Sequence, residues 1–117
     1  YIQYAHVRAN SILEKMEGPF PEALTPDYAL NPAEIELIER ISRIPDEIQN
    51  AARDRKPLHL TNAVYDLARS FNAFYRECPV LSAEDPVKSF RLRLVAAAKQ
   101  TIANGLKSLG IEAPSVM

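Results

Sequence analysis

Apolar residues recur at intervals of three and four along almost the whole sequence, and prolines separate the stretches that carry this pattern. Such spacing places one face of an α-helix against a core, whereas a β-strand requires apolar and polar residues to alternate. No segment of the sequence alternates for long enough to be a strand. The pattern therefore predicts an all-α bundle of about five helices. A chain of 117 residues is the size of one domain, so we expect residues 1–117 to form a single domain.

The second expected helix has a clear start and an expected stop. Asn31 is a favourable N-cap, Pro32 suits the first helical position, and Glu34 stands where a capping box places its acidic residue. Pro45 lacks a backbone N–H and is expected to end this helix. A short third helix is then expected to bury Ile48.

The last two expected helices lie in the second half of the chain. The clearest periodicity begins at Pro57 and ends at Cys78, with apolar residues on one face for about four turns. Ser82, followed three residues later by Asp85, resembles a capping box for the final helix. Gly110 suits the left-handed position that closes that helix.

Composition places the chain among globular proteins and indicates its compartment. Hydrophobic residues make up 47% and charged residues 25%, and no apolar run is long enough to cross a membrane. The single Cys78 excludes an internal disulfide framework and fits a reducing cytoplasm. The chain begins at Tyr1, inside an expected helix and without a secretory leader. We therefore expect a cytoplasmic piece excised from a longer protein.

The sequence offers little for catalysis. His6 and His59 are the only histidines, so a metal site would need carboxylates as well. There is no H-E-x-x-H motif, and three scattered glycines cannot form a phosphate-binding loop. Cys78 has no obvious base beside it, which favours a structural thiol. We expect no catalytic site, metal or cofactor in these residues, although an enzyme with an unfamiliar site stays an alternative.

The net charge of −1 conceals an uneven distribution. Residues 1–50 hold four Lys/Arg against nine Asp/Glu, for a net −5, whereas residues 51–117 hold ten against six, for a net +4. A near-neutral chain lacks the basic footprint that binding of nucleic acid by bulk electrostatics requires, and we expect no DNA partner. A local basic face on the second half remains open, and so does the alternative that these charges only solvate helix surfaces.

Two tyrosines on the first helix point to unpaired nucleic-acid bases. Tyr1 and Tyr4 lie one turn apart, on the face opposite the apolar stripe, and Arg8 and Lys15 continue that face. Tyrosine rings stack on unstacked bases while neighbouring cations meet phosphates. The alternative is that both rings pack against a protein, either the upstream part of the same chain or a partner.

Three stretches resemble one family, the C-terminal anticodon-binding (DALR) domain of arginyl-tRNA synthetase. The opening Y-I-Q-Y-A-H-V-R-A-N-S-I-L is similar to that family's first helix, Y-V-Q-Y-A-H-A-R-I-x-S-I. Residues 65–81 match its D-L-A-x-x-F-x-x-F-Y-x-x-C-x-V-L pattern, and residues 105–117 match G-L-x-x-L-G-I-x-A-P-x-x-M. The motifs occur in the family's order and span nearly the whole chain.

The resemblance implies a function in protein synthesis. Arginyl-tRNA synthetase joins arginine to its tRNA with ATP and magnesium, and this domain grips the anticodon stem-loop. The expected partners are therefore an arginine tRNA and the catalytic domain of the same synthetase. In the family, the pocket for an unstacked anticodon base is lined by residues that correspond to Tyr1, Tyr4, Tyr75 and Met117. The H-I-G-H-like and K-M-S-K-S-like catalytic signatures are absent from this sequence.

Arginines supply further candidate contacts to RNA. Arg8, one turn beyond Tyr4, is expected to contact a phosphate or a base, while Arg76, Arg91 and Arg93 are weaker candidates from the basic second half. The competing hypothesis is a helical protein-interaction domain that uses the same tyrosines.

Overall fold

The computed structural model describes residues 1–22, 25–55 and 57–110, and these residues contain four α-helices and no strand. The helices are α1 (Ile2–Glu14), α2 (Pro32–Asp54), α3 (Pro57–Glu77) and α4 (Val87–Ser108). The expected all-α architecture is confirmed. The expected count of about five helices is corrected to four in the described part of the chain.

The difference in count arises at Pro45, which lies inside α2 instead of ending it. Leu37, Ile41, Ile44 and Ile48 continue one apolar stripe past the proline and pack into the core. Pro45 itself lies on the exposed side of the helix. A proline in a helix interior costs about 3 kcal/mol, and burial of a side chain such as Leu or Ile contributes about 1.5–3 kcal/mol. Burial on both sides of the proline therefore accounts for the uninterrupted helix.

Helices α3 and α4 form the centre of the bundle, because each packs against all of the other three helices. The predicted apolar face of α3 is buried as expected, and its Phe71 and Phe74 rings lie 6.1 Å apart in the core. Val95, Ala98 and Ile102 of α4 are fully buried beside them. Helix α1 lies against α3 and α4, so one of its faces is left to solvent.

Short-range signals account for the start of α2 and the end of α4. The Asn31 side-chain oxygen accepts a hydrogen bond from the Ala33 N–H at 2.8 Å, and Glu34 accepts one from the Asn31 N–H at 2.8 Å, which is the predicted capping box. Gly110 follows the end of α4 with a φ of +79°, the left-handed value expected of it. The expected Ser82 cap is wrong, because the Asp85 carboxylate accepts from the Ser89 N–H at 3.0 Å instead.

Gly105 is the point at which α4 comes closest to α3. A Cβ added there would lie 2.5 Å from Cγ2 of the fully buried Val64. Valine has a short branched side chain with one strongly preferred rotamer in a helix, so it cannot swing away. The absence of a side chain at Gly105 therefore permits the two helices to pack at this distance.

We expect Gly105→Ala to lower the free energy of unfolding by about 1–2 kcal/mol, because overpacking costs about 1–3 kcal/mol and the better helix propensity of alanine returns at most about 1. Urea denaturation measures the change. Lys107→Ala, an exposed position one half-turn away, should stay within about 0.5 kcal/mol of the native chain. A Gly105→Ala protein as stable as the native one would contradict the close approach.

Candidate functional site

Four exposed tyrosines define one face of the molecule, which we call the tyrosine face. Tyr1 and Tyr4 belong to the start of α1, and Tyr65 and Tyr75 belong to α3. Their exposed fractions are 57%, 47%, 44% and 44%. Large exposed aromatic surfaces grouped on one side are typical of a binding surface rather than of ordinary solvated helix.

A cleft of about 530 Å³ lies between α1 and the turn that follows α3. The second stripe of α1 forms one side, through Tyr4, Arg8, Ser11 and Lys15. The other side consists of Tyr75 and of residues 78–82, which we call the cleft wall. The spacing of the α1 stripe follows the helical repeat, so a single helix presents aromatic, cationic and hydroxyl groups in a row.

Arg8 connects the two rings at the cleft. Its guanidinium carbon lies 4.5 Å from the centroid of the Tyr4 ring and 4.6 Å from that of Tyr75. Nη1 donates a hydrogen bond to the Asn72 side-chain oxygen at 3.2 Å, and Nη2 donates to the Tyr4 hydroxyl at 3.4 Å. A planar cation over two ring faces makes cation–π contacts with both, so Arg8 sets the positions of the two rings relative to each other.

The charge of the cleft is positive. Arg8 and Lys15 line it, and no carboxylate belongs to the described residues that line it. Cys78 also faces this region, but burial raises the pKa of its thiol above the ordinary value, so the sulfur stays protonated at neutral pH. A protonated buried thiol is a poor nucleophile. The cleft is therefore suited to holding an anionic, flat ligand and not to covalent chemistry.

A buried hydrogen-bond cluster supports the cleft wall, and we call it the Glu34 cluster. The Glu34 carboxylate, with no exposed surface, accepts hydrogen bonds from the Tyr28 hydroxyl at 2.7 Å and from Nε of Arg91 at 3.1 Å. The backbone N–H of Asn31 donates to its other oxygen. Nη1 of Arg91 donates to the Pro79 carbonyl at 2.9 Å. Arg91 thus ties the wall to the start of α2.

The ionisation of the cluster follows from these contacts. Burial alone would raise the pKa of Glu34, but hydrogen bonds from Tyr28, from the Asn31 N–H and from Arg91 together lower it below its ordinary value. Burial and the hydrogen bond to Glu34 raise the pKa of Tyr28 to about 12. Burial disfavours the charge on Arg91, yet the adjacent Glu34 outweighs that effect and raises its pKa. The buried pair is therefore ionised at neutral pH.

The structure brings some of the residues nominated from the sequence together and separates others. Tyr4, Arg8 and Tyr75 meet at the cleft. Tyr1 instead contacts Tyr65, with ring centroids 5.1 Å apart. Tyr1 and Arg76 also line a depression separate from the cleft. Met117 lies outside the described residues.

Two of the nominated arginines are engaged inside the protein. Arg91 belongs to the Glu34 cluster and is only 13% exposed. Arg93 donates to the Pro21 carbonyl at 2.9 Å and lies 5.4 Å from the Phe20 ring centroid, so it fastens the segment between α1 and α2 onto α4. Both side chains support the structure, and their hydrogen bonds leave them poorly placed to reach a ligand.

Sequence reasoning did not nominate Tyr65 and Arg69, which belong to the tyrosine face and its border. A signal was present, because Tyr65, Arg69, Asn72 and Arg76 recur at intervals of four, three and four on one side of α3. The approach of Tyr65 to Tyr1, by contrast, depends on how two helices pack. It cannot be predicted from the spacing of residues along one helix.

Metal-binding clusters and membrane-spanning helices are both absent from residues 1–22, 25–55 and 57–110. That part of the chain holds no group of three or more His, Cys, Asp or Glu side chains arranged to bind a metal ion. None of the four helices there is both long enough and apolar enough to cross a bilayer.

Comparison with known proteins gives consistent matches. The family model described as "DALR anticodon binding domain" matches residues 2–117. An arginine–tRNA ligase of Haloarcula marismortui is 43% identical over 117 residues, and one of Thermococcus sibiricus is 47% identical over 124. All of this chain is covered in both, but only 20% and 19% of the relatives. The chain therefore spans about a fifth of the length of these relatives.

A solved structure agrees with the sequence matches. The arginyl-tRNA synthetase of Thermus thermophilus superimposes with a TM-score of 0.87 at 39% identity. The match covers 100% of this chain and 21% of that one. The family that the sequence motifs indicated is thereby confirmed.

We expect Arg91→Met to lower the free energy of unfolding by about 3–5 kcal/mol, since removal of one partner leaves the buried Glu34 charge uncompensated. Arg43→Met is the matched control, because Arg43 pairs with Glu39 in solvent and such pairs contribute about 0–1 kcal/mol. Urea denaturation of both variants measures the difference. Equal losses of unfolding free energy in the two variants would show that the Glu34 cluster does not stabilise the fold more than a surface ion pair does.

The lowered pKa of Glu34 also predicts a pH dependence. A group whose pKa is lower in the folded protein stabilises it fully above the ordinary value of 4.5, and this contribution is lost as the pH falls through the folded pKa. Glu34→Gln should therefore be less stable than the native chain at pH 7, and the gap should narrow on acidification. Urea titrations between neutral and acidic pH measure it; a gap that stays constant would contradict the shift.

Proposed function

The chain belongs to the DALR anticodon binding domain family, and from this membership we propose that it binds the anticodon stem-loop of an arginine tRNA at the cleft. In this proposal the chain is one domain of an arginine–tRNA ligase. ATP, arginine and magnesium are used in a catalytic domain elsewhere in the same protein. The present residues contribute RNA contacts and no catalytic group.

The observation that carries the proposal is the arrangement of Tyr4, Arg8 and Tyr75 at the mouth of a cleft with no lining carboxylate among the described residues. An unpaired base has a flat π-face that stacks on a tyrosine ring, and such stacking contributes about 1–3 kcal/mol per base. Anticodon bases are single-stranded and can be turned out of their stack. Arg8 lies over one face of each ring, so a base would stack on the part of Tyr4 or Tyr75 that stays exposed, 47% and 44% of these side chains.

Cations at the cleft supply the contacts to the RNA backbone. A guanidinium group carries five N–H donors, and Arg8 uses its Nη1 and Nη2 toward Asn72 and Tyr4, so further donors remain for a phosphate or a base edge. Lys15 directly follows α1, about three helical turns from Tyr4. It is exposed and lines the opposite end of the cleft. A phosphate beside the stacked base would meet Arg8, and one further along the cleft would meet Lys15.

The overall charge is compatible with this mode of binding. A chain with net charge −1 gains little from general attraction to phosphates, so affinity would depend on stacking, shape and a few local cations. We therefore expect a weaker salt dependence than that of strongly basic RNA-binding proteins. Met117 stays a proposed pocket residue on the strength of the family resemblance.

We expect Tyr75→Ala to weaken binding to an arginine-tRNA anticodon hairpin by about 5- to 150-fold, which corresponds to the loss of about 1–3 kcal/mol of stacking. Tyr75→Phe, which keeps the ring, should bind nearly as the native chain does. Leu58→Ala removes a still more exposed large apolar side chain at the start of α3, 67% against 44% for Tyr75, and should have no effect. Fluorescence anisotropy with labelled hairpins measures the dissociation constants.

A second hairpin with the middle anticodon base changed tests base recognition in the same titration. The proposal predicts that the native chain binds this hairpin more weakly than the first one. The difference in affinity between the two hairpins should be smaller for Tyr75→Ala. Equal affinity for both hairpins, unaffected by Tyr75→Ala in a folded protein, would reject RNA binding at the cleft. It would favour the alternative that the tyrosine face binds a protein.

A further inference from the structure

A second aromatic and cationic surface lies beside the cleft, and we call it the Tyr1–Tyr65 patch; its residues are Tyr1, Tyr65, Arg69 and Arg76. The two rings come from different helices and stand 5.1 Å apart with an interplanar angle of 38°. They are among the most exposed large side chains of the described chain, at 57% and 44%. This exposure leaves aromatic surface accessible on which a flat group can stack.

The cations of the patch are not neutralised. Arg69 and Arg76 lie one and three turns beyond Tyr65 on the same side of α3, and both are exposed. Neither forms an ion pair with any residue in the described part of the chain. Arg40, at the rim of the same depression, differs in this respect, because Glu36 and Asp66 lie 2.8 Å and 3.7 Å from it. The depression thus holds two carboxylates that face Arg40 and two further arginines, Arg69 and Arg76, without an ion pair in the described part of the chain.

The patch is continuous with the cleft along both helices. Tyr1 precedes Tyr4 by one helical turn, a rise of about 5 Å, and Arg76 directly follows Tyr75. A ligand that stacks on Tyr4 or Tyr75 and extends toward the start of α1 would cross the Tyr1–Tyr65 rings. A chain of flat bases joined by phosphates has this form, whereas a compact small molecule does not.

We propose that the Tyr1–Tyr65 patch is a second subsite for RNA, which binds an unpaired nucleotide adjacent to the one in the cleft. The base stacks on the Tyr1–Tyr65 pair, and Arg69 and Arg76 contact the flanking phosphates. This inference rests on the proposed function of the cleft. It adds Tyr65 and Arg69 to the expected RNA contacts and groups Tyr1 and Arg76 with them instead of with the cleft, and its failure is distinguishable from failure at the cleft.

The test is a double-mutant cycle between the protein and the RNA. Each unpaired nucleotide of the anticodon hairpin is replaced in turn by an abasic residue, and each hairpin is titrated with the native chain, with Tyr75→Ala and with Tyr65→Ala. Removal of a base that stacks on the protein should weaken binding to the native chain. We expect this loss of affinity to disappear at one abasic position in Tyr75→Ala and at a neighbouring position in Tyr65→Ala. Tyr65→Ala alone should weaken binding of the intact hairpin about fivefold or more, and Tyr65→Phe should restore it.

The arginines have an independent readout in the salt dependence. Each phosphate contact to a single strand contributes about 0.7 to the slope of log affinity against log salt concentration. Arg69→Gln and Arg76→Gln should each reduce the slope by about that amount. Arg53→Gln, an exposed arginine paired with Asp54 at the far end of α2, should leave it unchanged. Circular dichroism confirms that each variant is folded.

The outcomes separate the two proposals. If Tyr75→Ala weakens binding while the Tyr65, Arg69 and Arg76 variants change neither affinity nor slope, the second subsite is rejected and the patch is left as a surface for a protein neighbour. If Tyr65→Ala removes the penalty of the same abasic position as Tyr75→Ala, the two surfaces are one site and the inference is also wrong. If no variant affects binding, the proposed function of the cleft fails as well.

Discussion

A carboxylate without access to water must find its partners inside the protein, and the arrangement of this molecule depends on how Glu34 does so. Its partners come from segments far apart in the sequence: Tyr28 before α2, the backbone of Asn31 at the helix start, and Arg91 in α4. Through Arg91 the connection reaches Pro79 and the cleft wall. One buried charge therefore fixes α2 against α4 and also holds the surface that faces the tyrosines of α1.

The arginines of the second half of the chain divide into two groups with different tasks. Arg91 and Arg93 turn inward and hydrogen-bond to carbonyls of connecting segments. Arg69 and Arg76 point to solvent beside the exposed rings. The positive balance of residues 51–117 is thus partly structural, which composition could not show. Of the arginines in this half, only the outward group is placed to take part in the RNA binding that we propose.

Local signals were sufficient for much of the fold and for part of the site. Three features depend only on residues close together in the sequence, and all were predicted from it: the capping box at Asn31, the left-handed Gly110 and the apolar face of α3. The spacing of the α1 stripe likewise indicated that Tyr4 and Arg8 share a surface. The continuation of α2 through Pro45 was missed, because it depends on tertiary burial that local rules do not include. The inward role of Arg91 was missed for a related reason, since Glu34 lies 57 residues away in the sequence.

The position of Arg8 between Tyr4 and Tyr75 has a consequence for how fast and how firmly a ligand is held. A free tyrosine on a helix surface samples several rotamers, and a ligand that stacks on it must restrict that motion. Here the guanidinium and its hydrogen bond to Asn72 restrict both rings before any ligand arrives. The loss of side-chain entropy then accompanies folding instead of association with the RNA of the proposed function. Such preorganisation favours rapid docking of a base with little rearrangement of the protein.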